Sequence, residues 1–500
     1  MSNVMTFSQP ETGNLIIGQT FLFTVILSSD EVIDGSSIIS FFNTKNISVP
    51  IGDVSVNLES DNKKATATVT LTVSNLIAEN EEIHFSVKTS LSGIQQKKLQ
   101  YLAKEIYPES LRLSVDNAFL SVPTSYDHSQ IGTVSTKVHT IIKDKDGNPL
   151  SGIPIFIKSR AFNQLEEVYI YANDVRNKIN VQNLSLYSGF SINSGDKGQV
   201  EFYISPIKPL ALVIDLSSTI RIPSDYAISH STVFIIFDNK KYNRQEPEAV
   251  TAIDGDLTSK GESKFWLDTT PCTAYDVDDF LLFNINGEYK YYVRGFDVIE
   301  DNQCLIKLPY FILEKNKLSN LSYLVIRGNG DIIAKSYPVD VTYRGRTNKP
   351  WTDVDRIYEP CKVYTSFNDV IEQDGDINNQ KISNHAKNPD DAGLFVTITG
   401  TNDNSDNTKV KLGSKVTLNL YINSKNKTVT LPFNCIMPYH PDNKDGKTAV
   451  LRFNIRYKLL NGHFAFPFHD GMIYFDYQVG DDNDRDVTYG GIWSGHIVTD

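Results

Sequence analysis

The side chains able to do chemistry are sparse in this chain, and most lie in its second half. All four cysteines fall there, as Cys272, Cys304, Cys361 and Cys435. No Cys-x-x-Cys pair occurs among them, which removes the commonest zinc and redox motifs. Two readings remain. The cysteines form disulfides Cys272–Cys304 and Cys361–Cys435, each stabilising by roughly 2–4 kcal/mol where geometry permits, or they are buried thiols acting as small hydrophobes. Their distribution, one pair in each of two late segments, favours the disulfides. Three turns have the alternating oxygens of a calcium loop: Asp144-Lys-Asp146-Gly-Asn148, Asp374-Gly-Asp376-Ile-Asn378 and Asp254-Gly-Asp256. An EF-hand closes with a bidentate carboxylate at loop position twelve, where these segments carry Ile155, His385 and Phe265. No metal site is expected at any of them.

Five of the nine histidines (His385, His440, His463, His469, His496) lie beyond residue 345. His440-Pro-Asp442 and His469-Asp470 set an imidazole beside a carboxylate, the arrangement that orients a general base or a metal ligand. No His-Glu-x-x-His helix, Gly-x-Ser-x-Gly elbow or phosphate-binding glycine loop accompanies them, so scattered surface histidines are the simpler reading and no catalytic residue is assigned. Downstream of the acidic run 481–486, Tyr489 and Trp493 sit among glycines. Such aromatics serve a sugar-stacking or protein-contact surface, or pack inward from a final strand, which is the preferred reading. Trp266 and Trp351 pose the same alternative. The weak ligand-binding candidates are therefore Tyr489, Trp493, His440 and His469, with no cofactor implied.

Any such site needs a scaffold, and the composition points to strands. Among 500 residues there are 26 Phe and 25 Tyr against four Met and three Trp, a bias that suits sheets. The net charge of −12 argues against non-specific binding to nucleic acid or to an anionic membrane. The first ten residues lack a basic segment followed by an apolar one, and no apolar run reaches the roughly 20 residues of a membrane helix. The expectation is a protein without a transmembrane segment, secreted or at the cell surface by a route without a visible signal peptide.

Period-two alternation recurs throughout. In the stretch 65–73, Ala65, Ala67, Val69, Leu71 and Val73 fall on one face and four threonines on the other, as in a strand with one face in a core and one in water. Phe21, Phe23, Val25 and Leu27 alternate likewise. Short strands between Gly, Asn, Asp and Pro clusters predict an all-β chain of tandem sandwiches. A first is assigned to 1–104. The segment 105–240 carries Asp144-Lys-Asp-Gly-Asn-Pro-Leu-Ser-Gly-Ile-Pro154 and, about forty residues on, Asp196-Lys-Gly-Gln-Val-Glu-Phe. This pair of motifs resembles the bacterial immunoglobulin-like repeats of the invasin and intimin class. The resemblance implies immunoglobulin-like modules, adhesion, and contact with a host or surface protein or glycan. Residues 160–190 are longer than that family usually allows and read as an insertion, with Leu165–Tyr171 an extra strand or short helix.

The second half reads as an internal repeat. Pro271-Cys272 recurs as Pro360-Cys361, Leu281, Phe283 and Ile285 match Leu418, Leu420 and Ile422, and Cys304 matches Cys435. Leu321, Tyr323 and Val325 match Leu451, Phe453 and Ile455, each set leading to an Asn-Gly turn at Asn329-Gly330 or Asn461-Gly462. Modules at 241–345 and 346–500 follow. The expected function is a non-enzymatic, adhesin-like binding protein with its contact surface in the last module. A released toxin or virulence factor and a self-assembling structural component are the alternatives.

Overall fold

The computed structural model describes residues 3–160, 163–184, 187–222, 227–237, 244–245, 255–269, 276, 278–295, 305–403, 405–480 and 487–500. The fold is mostly β, in several sheets arranged as tandem modules. Its contacts divide the chain into one unit of residues 1–241 with 327–332 and a second of 242–326 with 333–500.

In the first unit, strand Lys64–Val73 pairs antiparallel with Thr20–Ser28, so that Phe21 faces Leu71, Phe23 faces Val69, Val25 faces Ala67 and Leu27 faces Ala65. Both alternating faces predicted from sequence are buried, and they meet a second sheet that brings Phe85 edge-on to Phe23 at 5.3 Å. The outward threonines pair across the strands, Thr24 with Thr68 at 2.9 Å. A further core lies between a four-stranded and a six-stranded sheet and includes Ile142, Leu150, Ile153, Ile155, Val200 and Phe202.

The two motif segments close on one another there. Ile142 N donates to Gly198 O at 2.8 Å, Gly152 N to Ser194 O at 2.8 Å, and Ile153 N to Ser194 Oγ at 2.9 Å. Gly198 has φ +73°, and a Cβ on it would lie 2.5 Å from Ile142 O, so both conformation and space require glycine. The Asp144 Oδ1 oxygen accepts from Asp146 N and Asn148 N, and Oδ2 from Asn148 Nδ2. These oxygens cap their own turn. The expected insertion holds both alternatives in succession: a 3-10 turn at Gln164–Glu167, then a strand at Val168–Tyr171 paired with Gln199–Pro206.

The second unit contains the repeat in a form different from the expected one. One sheet runs Arg244–Gln245, Ile332–Ser336, Leu318–Ile326, Phe280–Ile285, Glu288–Arg294, with Val339–Arg346 on Leu318–Ile326 and Asp256–Ser259 parallel to Val339–Arg346. The other runs Arg356–Tyr358, Thr488–Gly490, Gly471–Val479, Lys415–Asn423, Thr428–Ile436, with Trp493–Val498 on Gly471–Val479 and Gly375–Asn378 parallel to Trp493–Val498. The two paths match strand for strand in chain order. Phe280–Ile285 and Lys415–Asn423 occupy the same place, as expected. Leu318–Ile326 corresponds instead to Gly471–Val479, because both pair with that central strand. Strand Thr448–Arg456, the expected match, belongs to the facing sheet beside Ala392–Thr401. Asn329-Gly330 turns a hairpin, whereas Asn461 caps the short helix Tyr457–Leu460.

The cysteine correspondence does not survive this alignment. Cys272 follows strand Lys264–Asp268 in the chain, while Cys361 precedes Gly375–Asn378, its module's equivalent of the strand before. Cys361 and Cys435 are free thiols: Cys361 is 3% exposed in the core, and Cys435 is exposed near the end of the sheet's outermost strand. The expected Cys361–Cys435 bond is therefore not formed. Cys272 and Cys304 lie outside the described residues.

Residues 346–356 cross the outer face of the last seven-stranded sheet. Asn348 Nδ2 donates to Ile422 O at 2.8 Å and Val429 O at 3.1 Å, and Asn348 O accepts from Asn423 Nδ2 at 2.5 Å. The Arg346 guanidinium stacks 3.9 Å over Trp351. Beneath them Asp476 is fully buried, bonded to Arg356 Nη2 at 2.9 Å and Asn419 Nδ2 at 3.2 Å. Burial raises its pKa, and the Arg356 charge works against that rise.

Candidate functional site

At one end of the last sandwich the helix Tyr457–Leu460 leads into residues 461–470, Asn-Gly-His-Phe-Ala-Phe-Pro-Phe-His-Asp. Gly462, at φ +74°, ends the helix, and Pro467 can neither continue one nor donate to a ladder. Its side chains divide sharply. Phe468 is 98% exposed and Phe464 45%, whereas His463 is fully buried.

The buried histidine ties the loop down. Its Nε2 lies 2.9 Å from Leu459 O, and its Nδ1 lies 2.9 Å from Ser424 Oγ. A carbonyl can only accept, so Nε2 carries the proton and Nδ1 is left to the hydroxyl. Burial lowers the His463 pKa, which keeps this neutral tautomer. The loop backbone is held as well. His463 N donates to Thr499 Oγ1 at 3.1 Å and Thr499 N to His463 O at 2.9 Å. Phe464 N donates to Asn426 Oδ1 at 3.0 Å, Asn426 Nδ2 to Gly462 O at 2.8 Å, and Lys427 Nζ to Asn461 O at 2.6 Å. The exposed phenyl rings thus stand on a backbone whose ordering entropy is already spent in folding.

A second feature adjoins the helix. His385 stacks on Tyr457 with centroids 3.7 Å apart and planes 12° off parallel, and its Nδ1 lies 2.5 Å from Asp391 Oδ1. Asp390 and Asp391 both have φ of +57°, a left-handed conformation unfavourable for residues with a Cβ. Tyr457 OH donates to Asn461 Oδ1 at 3.0 Å, linking this pair to the aromatic loop.

The residues singled out from sequence are dispersed. Trp493 is 3% exposed, packs 5.8 Å from Phe475 and directs Nε1 at Ile371 O, 3.3 Å away. It is core, the inward packing preferred from sequence, and has no face for a ligand, so the weaker reading of Trp493 as a contact residue is set aside. Tyr489 is partly exposed on Thr488–Gly490, with the Arg356 guanidinium 5.8 Å from its ring. That strand pairs with Gln478 and Val479, the opposite end of Gly471–Val479 from the aromatic loop, roughly 27 Å along the strand.

His440 is exposed, but its sequence neighbour Asp442 accepts from Val450 N and so caps its own hairpin. His469 is in the aromatic loop. Its Nδ1 faces the Asp470 carbonyl rather than the carboxylate, and its ring lies 4.6 Å from Phe466. His469 does not form the imidazole–carboxylate pair that its neighbour Asp470 offered in sequence. An imidazole–carboxylate pair does form in the last module between His385 and Asp391, six residues apart in sequence and joined by the 3-10 turns His385–Lys387 and Pro389–Asp391. Among the described residues no group of three or more His, Cys, Asp or Glu side chains could hold a metal ion. The acidic run 481–486 lies outside the described residues. The sequence signal for the aromatic loop was Phe at alternate positions 464, 466 and 468, which reads as an ordinary strand face until the ladder is known to end before it.

No known family and no curated protein matches the chain by sequence. Its structural neighbours include the D00-D0 domain of intimin, at 9% identity and TM-score 0.17, covering 47% of this chain and 100% of that one. Invasin, a bacterial integrin-binding protein, has 11% identity and TM-score 0.17, covering 87% of this chain and 79% of its own. Domains 4–9 of surface layer protein SbsC have 12% identity and TM-score 0.19, covering 99% of this chain and 66% of theirs.

Proposed function

We propose that this chain is a non-enzymatic, adhesin-like binding protein. Its four modules, 1–104, 105–240, 241–345 and 346–500, form a series in which the last contacts a protein or glycan on a host or other surface. The cell exterior is where such a protein works. One observation carries the reading: Phe464 and Phe468 are exposed on a loop whose backbone is hydrogen-bonded and anchored by buried His463. A phenylalanine 98% exposed contributes nothing to the fold's own core. Aromatic anchors on pre-ordered backbone are what dominates binding energy at interfaces.

The test compares the full chain with a Phe464→Ser, Phe468→Ser double variant for binding to host-type cells and to a glycan panel. Loss of binding at unchanged thermal stability supports the reading. Equal binding by both proteins overturns the assignment of the contact surface to this loop, and binding by neither removes the adhesin reading. Concentration-dependent self-association of the wild type, abolished in the variant, makes the loop a self-assembly contact instead.

A further inference from the structure

The first unit contains a polar cavity of about 140 Å³ lined by Ser8, Gln9, Leu22, Thr24, Gln182, Ser191 and Asn193. Leu22 and Thr24 belong to strand Thr20–Ser28 of the first sandwich, and the last three residues belong to strands Gln182–Leu184 and Tyr187–Asn193 of the second. The amide orientations around it follow by elimination. Ser8 O can only accept, so Asn193 presents Nδ2 to it, at 2.8 Å. Asn193 Oδ1 is then left towards Gln9, which must meet it with Nε2, at 2.6 Å. The Gln9 carbonyl oxygen is thereby turned away from the only partner its side chain has found. Gln9 is 4% exposed, and its Oε1 has no hydrogen-bond partner; Gln182 Oε1 is a second buried oxygen in the same condition.

An unpaired buried carbonyl costs about 1–3 kcal/mol, and two at one cavity call for a common occupant. The chemistry of the lining narrows the choice. It presents amide oxygens and the hydroxyls of Ser8, Thr24 and Ser191, with no charged and no aromatic side chain among the described residues. Acceptor oxygens repel an anion. A divalent cation is held by carboxylates, and there are none. Neutral oxygens of this kind suit a weakly charged, readily dehydrated ion. We propose that the cavity binds a monovalent cation of the sodium or potassium class, with Gln9 Oε1 and Gln182 Oε1 as ligands. Because those ligands come from the two sandwiches of the unit, the ion stiffens their junction.

The test is calorimetric unfolding of the full chain in potassium, sodium and choline chloride at equal ionic strength, choline being a cation whose methyl-shielded charge amide oxygens cannot ligate. Thallium(I) NMR serves as a direct probe of occupancy. Wild type is expected to melt about 3–5 °C higher at tenfold saturation with the preferred ion than in choline, and to show a bound thallium resonance displaced by potassium. A Gln9→Met, Gln182→Met variant, which keeps side-chain length and removes both oxygens, is expected to lose the resonance and the cation dependence. Equal melting in all three salts with no bound thallium overturns the proposal and assigns the space to ordered water. A cation effect that persists in the variant overturns it equally, by moving the ion elsewhere.

Discussion

Replacing Arg356 by methionine isolates what the crossing segment 346–356 contributes. The guanidinium makes bonds of 2.9 Å to Asp476 Oδ2, 2.6 Å to Gly490 O and 2.7 Å to Trp351 O. Its side chain is 17% exposed and that of Asp476 1%, so solvent does little to screen the pair. Methionine preserves most of the apolar stem but leaves Asp476 buried with the Asn419 hydrogen bond and the weaker field of Arg346. Stranding one member of a buried pair costs about 3–5 kcal/mol. For a module of this size that corresponds to a fall in Tm of roughly 6–20 °C. The pH dependence gives an independent check. Burial raises the folded-state pKa of Asp476, so the folded protein binds the proton more tightly than the unfolded chain. This group's favourable contribution is complete below the unfolded carboxylate pKa and is lost as pH rises through the folded value. Without Arg356 that folded value rises further, so the deficit of the variant relative to wild type should be largest near neutrality and shrink towards about pH 4.5. Denaturant unfolding of both proteins at each pH measures it. A variant within about 0.5 kcal/mol of wild type at neutral pH, or a deficit that grows on acidification, would refute the argument that a buried charge pair holds the segment down.

Phe464→Ser and Phe468→Ser should each leave stability within about 0.5 kcal/mol of wild type, since neither ring is in the core; a large loss in calorimetry would make the loop structural. His463 should make the last module weaken in acid. Its folded pKa is lowered, so the unfolded chain binds the extra proton as pH falls below its ordinary value of about 6.5, and stability falls with it. Urea midpoints at about pH 7.5 and 5.5 should converge in His463→Gln relative to wild type, and identical pH dependence in both proteins would exclude the effect. In native protein a thiol reagent should reach Cys435 but not Cys361, whose thiol is pushed up in pKa by complete burial. Comparing labelling rates of wild type with Cys435→Ser and Cys361→Ser decides this, and rapid native labelling lost only with Cys361 would contradict the core position.

The faces of strands were legible because burial acts residue by residue. Phe21, Phe23, Ala67 and Val69 alternate in sequence and are buried in the same alternation. The motif pair 144–154 and 194–204 was legible for a different reason: Gly198 and Ser194 are fixed by backbone contacts with Ile142 and Ile153, and close approach of backbone leaves a residue little freedom to vary. Partner choice between strands carries no such local signature. Leu451, Phe453 and Ile455 have the same alternation as Ile473, Phe475 and Tyr477. Period two reports only that one face is inward, and both sheets of a sandwich turn one face inward. The repeat was therefore sensed from the right kind of residues and aligned to the wrong sheet at Thr448–Arg456, and Cys361 and Cys435, paired on that alignment, are free thiols.

The same limit explains the site. Neighbours in sequence need not pair: His469 Nδ1 meets the Asp470 carbonyl rather than its carboxylate, and the Asp442 carboxylate accepts from Val450 N of its own hairpin. His385 and Asp391 meet because two 3-10 turns reverse the chain between them. Phe464, Phe466 and Phe468 alternate like a strand and form none, since strand Gly471–Val479 begins only after them. Alternation that outruns its ladder has no second sheet to bury it, and that is why the most exposed phenylalanine of this end of the module sits where the sequence pattern alone would have put a core residue.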